Sequence, residues 1–192
     1  MERELLLTGI GGQGIQLAAR VVAEAATREH RHVMYLGTYA GTMRGASSDS
    51  SLVLGDAPIA QPPIVASTWS AIAMHHQFWE PARAKLRAGG ILVVDATLFR
   101  GELGDRPVRR FDVAATRIAT ELGAAGAASM VMIAAYCKLT GLVDLPSLVA
   151  AMTDALPRYR AQHVADNTRA LEAGWAALPA GEAPFWTEEP RA

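Results

Sequence analysis

The chain has 192 residues, of which 51% are hydrophobic and 19% charged, and its formal net charge is −1. This length suffices for one α/β domain with a sizeable core, and the balanced charge argues against nucleic acid or a membrane surface as a partner. Neither a membrane-spanning run nor the cationic, apolar start of a signal peptide stands out. We therefore expect a cytoplasmic protein.

The chain contains one cysteine, Cys137, within an apolar helical stretch. A single cysteine cannot form an intramolecular disulfide or ligate an iron–sulfur cluster by itself. The adjacent His75 and His76 lack a third residue at metal-ligand spacing. We therefore predict a buried, unreactive thiol, and neither a metal site nor a catalytic residue on this chain.

A glycine-rich turn follows the first apolar run. The segment 8–15 reads T-G-I-G-G-Q-G-I, in which Gly9, Gly11 and Gly14 fit the spacing G-x-G-x-x-G and Gly12 adds another glycine. Without a Cβ, a phosphate can approach main-chain N–H groups closely, and the start of the following helix favours an anion. The pattern predicts a phosphate-binding loop, and the alternative is a tight turn that binds nothing.

The second strand bears on which phosphate ligand is bound. A nicotinamide-binding domain carries an acidic residue about 20 residues after the glycine loop, where it binds the ribose. Here the predicted strand 33–36 ends in Gly37 and Thr38, and neither is acidic. This absence argues against NAD.

A long polar loop is predicted at 37–51, and loops of this length are often functional. Arg44 suits a phosphate or carboxylate because its guanidinium donates two parallel hydrogen bonds. The alternative, equally compatible with the composition, is a solvated arginine.

The apolar patterns predict alternating strands and helices. We predict strands at 5–7, 33–36, 51–54, 69–74, 91–94 and 108–111, and helices at 15–27, 77–87, 113–122, 130–140, 145–156 and 158–174. Gly89 and Gly90 are expected to end the second helix, Asp112 and Ser129 to cap later ones, and Asp95 to cap a helix or bind a ligand. The alternation indicates an α/β, Rossmann-like three-layer sandwich with a mainly parallel sheet, C-terminal helices and an extended tail.

We place residues 1–178 in one domain and 179–192 in a proline-rich tail. The tail carries Phe185 and Trp186, an aromatic pair that either folds back on the domain or docks on a partner.

Several motifs, taken in order, resemble the gamma subunit of 2-oxoacid:ferredoxin oxidoreductases. The segment 9–14 resembles the signature G-x-G-G-Q-G, and 39–47 stands where the family has Y-G-P-E-x-R-G-G. The segment 128–142 is similar to A-N-M-V-M-L-G-A-L-x-x-x-T-G-L, and 159–174 to Y-R-x-Q-H…N-x-x-A-L-x-A-G. Departures are Ala40-Gly41-Thr42 for G-P-E, Ala46 for a glycine and Ser129 for an asparagine.

The resemblance implies a subunit of an enzyme complex that oxidatively decarboxylates a 2-oxoacid to an acyl-CoA. It implies that thiamine diphosphate, Mg and iron–sulfur clusters belong to partner subunits, which are alpha and beta subunits with or without a delta subunit, and that ferredoxin or a similar carrier accepts the electrons. The implied role of this chain is to help bind coenzyme A and close the active site. The candidate ligand-binding residues are Gly9, Gly11, Gly12, Gln13, Gly14, Thr38, Tyr39, Arg44 and Gly45.

Two other functions remain open from the residues. One is a free-standing Rossmann-type reductase that binds NAD(P) or flavin. The other is a scaffold subunit whose glycine loop binds nothing.

Overall fold

The computed structural model describes residues 1–39, 45–60 and 62–187. The strands are β1 (Glu2–Ile10), β2 (His32–Tyr39), β3 (Ser47–Gly55), β4 (Thr68–Ala73), β5 (Leu86–Asp95) and β6 (Arg109–Val113). The helices are α1 (Ile15–Arg28), α2 (Trp79–Lys85), α3 (Ala115–Glu121), α4 (Ala128–Thr140), α5 (Leu145–Ala155) and α6 (Val164–Trp175). Short 3-10 helices cover Ala125–Ala127 and Arg158–His163.

The described strands form one sheet in the order β2-β3-β1-β4-β5-β6. Strand β3 runs antiparallel to both of its neighbours, whereas β1, β4, β5 and β6 pair in parallel. The predicted α/β class with a mainly parallel sheet is confirmed.

The two faces of the sheet bury different side chains because alternate residues of a strand point to opposite sides. On one face Leu5 and Leu7 pack in the larger core cluster with α1 and α4. Every residue of α4 except Lys138 is buried, as its uniformly apolar sequence predicts. On the other face Leu6 packs with Trp79 of α2 in a smaller cluster. Helix, sheet and helix thus form three layers.

The predicted long loop at 37–51 is wrong in extent. Strand β2 continues to Tyr39, and β3 begins at Ser47 rather than at 51. The polar sequence at 47–51 adopts strand structure because β3 lies between two antiparallel partners. Their main chains supply hydrogen bonds on both sides, which local sequence does not reveal.

The second predicted helix is also too long. Helix α2 ends at Lys85, and Leu86 to Gly90 belong to β5. Gly89 has the left-handed φ of +74°, and its N–H donates to Pro107 O at 2.7 Å. It therefore shapes the start of a strand and does not cap a helix.

The start of α3 is fixed by Asp95 and not by Asp112. Asp112 lies within β6, and its carboxylate accepts from Arg110 at 2.6 Å. Asp95 is fully buried, and its carboxylate accepts from the N–H of Thr97 at 3.1 Å and of Thr116 at 3.3 Å. Of the two roles predicted for Asp95, the structure shows binding to the start of a helix.

Two further predictions for the C-terminal helices are corrected. Helix α4 begins at Ala128, so Ser129 lies in its first turn and does not cap it. The predicted helix 158–174 is a 3-10 helix over Arg158–His163 followed by α6.

The described part of the tail folds back on the body. Phe185 is fully buried, and its ring meets that of Trp69 edge to face at 5.1 Å. The Arg3 guanidinium donates to Pro184 O at 2.9 Å and lies 4.1 Å from the centre of the Trp69 ring.

Across the described ranges, none of the helices combines the length and apolar character needed to cross a membrane.

Candidate functional site

The glycine loop lies at the carboxyl end of β1, near the centre of the sheet. The chain leaves β1 through α1 towards β2 on one side, whereas β4 connects through α2 to β5 on the other side. Ligands of open α/β sheets bind where the connections diverge in this way. The predicted loop is therefore at the position where this fold places ligands.

Gln13 holds the loop in shape. Its side-chain Oε1 accepts from the N–H of Ile10 at 2.9 Å, and its Nε2 donates to Met74 O at 3.4 Å. The N–H of Met74 in turn donates to Thr8 O at 2.9 Å. The side chain of Gln13 is thus engaged within the protein, and its part in a site is to position the loop.

The loop and the start of α1 contain main-chain N–H groups without a partner among the described residues. In the part of the chain that the structure describes, the N–H groups of Gly12, of Gly14 and of residues 15–17 donate to no protein atom. Gly12 has φ +104°, and no atom of the described residues lies within 4 Å of the place where a Cβ would stand. The first turn of α1 contains no acidic residue, so an external anion would meet its partial positive charge.

The second predicted loop is joined to the first by main-chain hydrogen bonds. The N–H of Gly11 donates to Ala46 O at 2.7 Å, and the N–H of Gly45 donates to Gly11 O at 3.2 Å. Gly45 has φ +87°, and no described atom lies within 4 Å of the place where a Cβ would stand. Arg44 lies outside the described residues, as does the side chain of Tyr39, whose main chain pairs with Ser48.

Gln16 is a residue that the sequence analysis missed. Its Nε2 donates to Thr38 O at 3.2 Å and to Asp49 O at 2.8 Å, and its Oε1 accepts from Tyr35 at 2.8 Å. A Cβ on Gly37 would stand 1.8 Å from that Oε1. The side chain of Gln16 thus links α1 to β2 and β3. A glutamine directly after a glycine loop is the sequence signal that could have identified it.

Thr38 belongs to a different surface from the glycine loop. It pairs with Asp49, which pairs in turn with Thr8 on β1, so the three side chains share the sheet face opposite α1. Thr38 and Asp49 line a cavity of about 200 Å³ on that face. The Oδ1 of Asp49 is buried and has no hydrogen-bond partner in the described chain.

The histidine pair at the end of β4 is stacked, with ring centres 4.5 Å apart. Nδ1 of His75 accepts from the N–H of Gln77 at 3.1 Å. Burial, and secondarily the neighbouring His76, lower the pKa of His75 below its ordinary value. Within the described ranges, no group of three or more His, Cys, Asp or Glu residues is arranged to hold a metal ion.

Comparison with known proteins gives the family. Residues 4–177 match the family described as Pyruvate ferredoxin/flavodoxin oxidoreductase. The chain belongs to this family. It is similar to the 2-oxoglutarate synthase subunit KorC of Methanothermobacter marburgensis, with 33% identity over 164 residues that cover 82% of this chain and 88% of the relative. The family that the motifs predicted is confirmed.

Solved structures share the fold. The gamma subunit of a keto/oxoacid ferredoxin oxidoreductase from Geobacter sulfurreducens superposes with a TM-score of 0.75 at 24% identity, over 92% of this chain and 96% of that one. A 2-oxoglutarate:ferredoxin oxidoreductase from Magnetococcus marinus, bound to 2-oxoglutarate, coenzyme A and succinyl-CoA, gives 0.82 at 19% identity. It covers 99% of this chain but 33% of the longer one, so the same fold also occurs as one part of a larger subunit.

Proposed function

We propose that this chain is the gamma-type subunit of a complex that oxidatively decarboxylates a 2-oxoacid to an acyl-CoA. In this complex the chain binds the phosphate part of coenzyme A through its glycine loop and helps to close the active site over it. The observation that carries the proposal is that, among the described residues, the N–H groups of Gly12, Gly14 and residues 15–17 have no partner and no atom stands at the Cβ position of Gly12.

The chemistry of coenzyme A suits this loop. Its pyrophosphate is an anion that main-chain N–H groups and the start of a helix bind well. Coenzyme A does not require a carboxylate in the last residues of β2, which are Gly37, Thr38 and Tyr39. The nearest carboxylate across the strand, Asp49, lies on the sheet face opposite α1. The arrangement therefore favours coenzyme A over NAD(P).

The redox chemistry belongs to partner subunits in this proposal. Cys137 is fully buried, and burial raises the pKa of its thiol far above the ordinary value, so it is unsuited to ligate iron. Alpha and beta subunits, with or without a delta subunit, would hold thiamine diphosphate, Mg and the iron–sulfur clusters, and ferredoxin or a similar carrier would accept the electrons. Bound thiamine diphosphate supplies an electron sink for decarboxylation. This chain supplies binding and orientation for the thiol acceptor.

The test is Gly12→Val in the assembled complex. The branched side chain would occupy the space beside the unpaired N–H groups, and the left-handed φ of +104° would strain the main chain. We expect the KM for coenzyme A to rise by about tenfold or more, as the loss of one charge-assisted hydrogen bond would cause. Single-turnover decarboxylation before the coenzyme A step should be unchanged.

The matched control is Gly181→Val. Gly181 also has a left-handed φ, +64°, and open space where a Cβ would stand, but it lies in the tail. This variant reproduces the strain without touching the loop and should keep the KM for coenzyme A. An equal KM in the assembled Gly12→Val complex would exclude the loop from the ligand site, and the scaffold function would then fit better.

A further inference from the structure

The cavity of about 200 Å³ on the sheet face opposite α1 lies between the sheet and α2. Ligand pockets for drug-sized molecules measure about 300–1,000 Å³, so this one suits a molecule of about the size of an amino acid. Much of its lining is apolar and consists of Leu6, Leu36, Ile64, Val65, Pro81 and Ala82.

Asp49 is the unusual residue of this lining. Its Oδ2 accepts from Ser47 Oγ at 2.9 Å, whereas its Oδ1 is buried and has no hydrogen-bond partner in the described chain. A buried carboxylate oxygen without a partner is costly, so such atoms are normally paired with a donor or a cation. The terminal torsion of an aspartate is soft, which lets this oxygen turn towards the cavity that the residue lines. A donor on a ligand in the cavity would supply the missing partner.

A second buried oxygen without a partner lies on the neighbouring strand. Thr8 of β1 pairs with Asp49 of β3, so the two side chains share one sheet face. Thr8 is fully buried, and its Oγ1 forms no hydrogen bond within the described residues. The Cβ atoms of such cross-strand neighbours stand about 4.5–5.5 Å apart. An ammonium group carries three donors and no acceptor, so a single ammonium can serve both oxygens.

Lys85 brings the opposite charge to the same cavity. It is the last residue of α2 and belongs to the lining. Among the described residues, no ion pair joins Lys85 to Asp49 or to another carboxylate. An unpaired negative and an unpaired positive group thus line one small cavity that is otherwise largely apolar, and a ligand with both charges and an apolar group matches this lining.

We propose that this cavity binds a small zwitterion with an apolar side group, which is the chemistry of an apolar α-amino acid. The ammonium group donates to Asp49 and Thr8, the carboxylate accepts from Lys85, and the side group packs against the apolar lining. The site lies on the sheet face opposite α1 and is separate from the N–H groups of the glycine loop. The proposal stands whether or not that loop binds coenzyme A.

The test is a titration of the isotope-labelled full chain with leucine, followed by NMR. Isoamylamine, which lacks the carboxylate of leucine, and 4-methylpentanoate, which lacks the ammonium, are titrated separately. We expect leucine to shift the main-chain signals of Thr8, Leu36 and Asp49 saturably, and each analogue to bind about tenfold or more weakly, because it loses a charge-assisted hydrogen bond. No saturable shift with leucine would overturn the proposal. Equal binding of either analogue would also overturn it, because the site would then recognise only one charge.

Two variants assign each charge to its residue. Asp49→Asn should weaken leucine and isoamylamine about tenfold or more and leave 4-methylpentanoate unchanged. Lys85→Met, which keeps an apolar stem, should weaken leucine and 4-methylpentanoate and leave isoamylamine unchanged. The matched control is Asp112→Asn, since Asp112 is a strand aspartate that does not line the cavity, and it should change none of the three. If Asp112→Asn weakens isoamylamine as much as Asp49→Asn does, general charge attraction explains the binding and the assigned site is wrong.

Thermal unfolding separates binding from folding. Because Oδ1 of Asp49 has no partner in the wild type, Asp49→Asn should leave the melting temperature unchanged or raise it while leucine binding weakens. A lower melting temperature with leucine binding retained would assign Asp49 a structural role and overturn the proposal. Gly12→Val should leave the response of Asp49 to leucine intact, so a failure of the glycine-loop proposal can be distinguished from a failure of this one.

Discussion

At the residue scale, the glycines of one motif serve different physical needs. A Cβ on Gly9 would stand 2.6 Å from Gln13 Oε1 and 2.9 Å from Ile15 Cδ1, so Gly9 allows close packing. Gly14 has φ +77°, and a Cβ on it would stand 2.8 Å from Ser129 Oγ. At Gly12 the left-handed φ requires glycine while the space beside it is open. A glycine count treats the three alike, whereas the structure separates Gly12, which has no described atom at its Cβ position, from the two closely packed glycines.

His75 provides a pH-dependent prediction at the same scale. Burial lowers the pKa of its imidazole in the folded state, and His76 lowers it further. The unfolded chain therefore binds this proton at a higher pH than the folded chain does. The contribution of His75 to the free energy of unfolding is fully present above the unfolded pKa of about 6.5, and it is lost as the pH falls from there through the lower folded pKa.

The measurement is urea unfolding of wild type and His75→Gln between about pH 8 and pH 5. We expect the free energy of unfolding to fall less on acidification in the variant than in the wild type. The other four of the five histidines are common to both proteins, so the difference between the curves reports His75. If the free energy of unfolding depends on pH in the same way in both proteins, then folding does not lower the pKa of His75.

At the scale of elements, the crossing of α4 and α6 depends on Gly174. A Cβ at this position would stand 2.1 Å from Val131 O and 2.7 Å from Val131 Cα. The obstruction is main chain within a buried helix, which cannot move aside as a flexible side chain can. The close approach of the two helices therefore requires glycine.

Gly174→Ala tests this crossing. In a helix interior, alanine is intrinsically favoured over glycine by about 1 kcal/mol. The overlap with Val131 opposes this gain, and overpacking of a core costs about 1–3 kcal/mol or more. We expect a net loss of stability in thermal or urea unfolding. Gly126→Ala is the control, because a Cβ there meets no described atom within 4 Å. Equal stability of Gly174→Ala and wild type would contradict the requirement for glycine at the crossing.

The elements also show which features were predictable from sequence. The first strand, the glycine loop and α4 follow from local patterns, because burial on all sides requires a continuous apolar sequence such as that of α4. The residue that binds the start of α3 could not be predicted from local patterns. Asp95 lies 21 residues before Thr116, whereas Asp112 lies close to the helix in sequence. Likewise, Gln16 could be noted in the sequence, but its bonds to β2 and β3 depend on tertiary structure. Long-range partners, rather than local propensity, account for the errors.

At the scale of the whole molecule, the aromatic residues stabilise the chain itself. Trp69, Trp79 and Phe185 are each at most 4% exposed. Of the two alternatives for the aromatic tail, the burial of Phe185 agrees with the one in which the tail folds back on the domain. The exposed large apolar residues are instead Met34, Leu36 and Ile64, together with Tyr35 and Tyr159, among those the structure describes.

The last prediction concerns what the chain does without partners. The one cysteine of the chain is buried, and the glycine loop offers main-chain N–H donors rather than groups that transfer electrons. In a solved relative the same fold makes up 33% of a longer chain. We therefore expect that the isolated chain binds no iron and reduces no dye when it is given any 2-oxoacid and coenzyme A. The complex purified from native cells should contain iron and should reduce the dye with its 2-oxoacid and coenzyme A. Dye reduction and iron analysis of the two preparations decide the matter. Turnover by the isolated chain would contradict the proposal that partner subunits hold the redox cofactors, because the reacting groups would then have to lie on this chain.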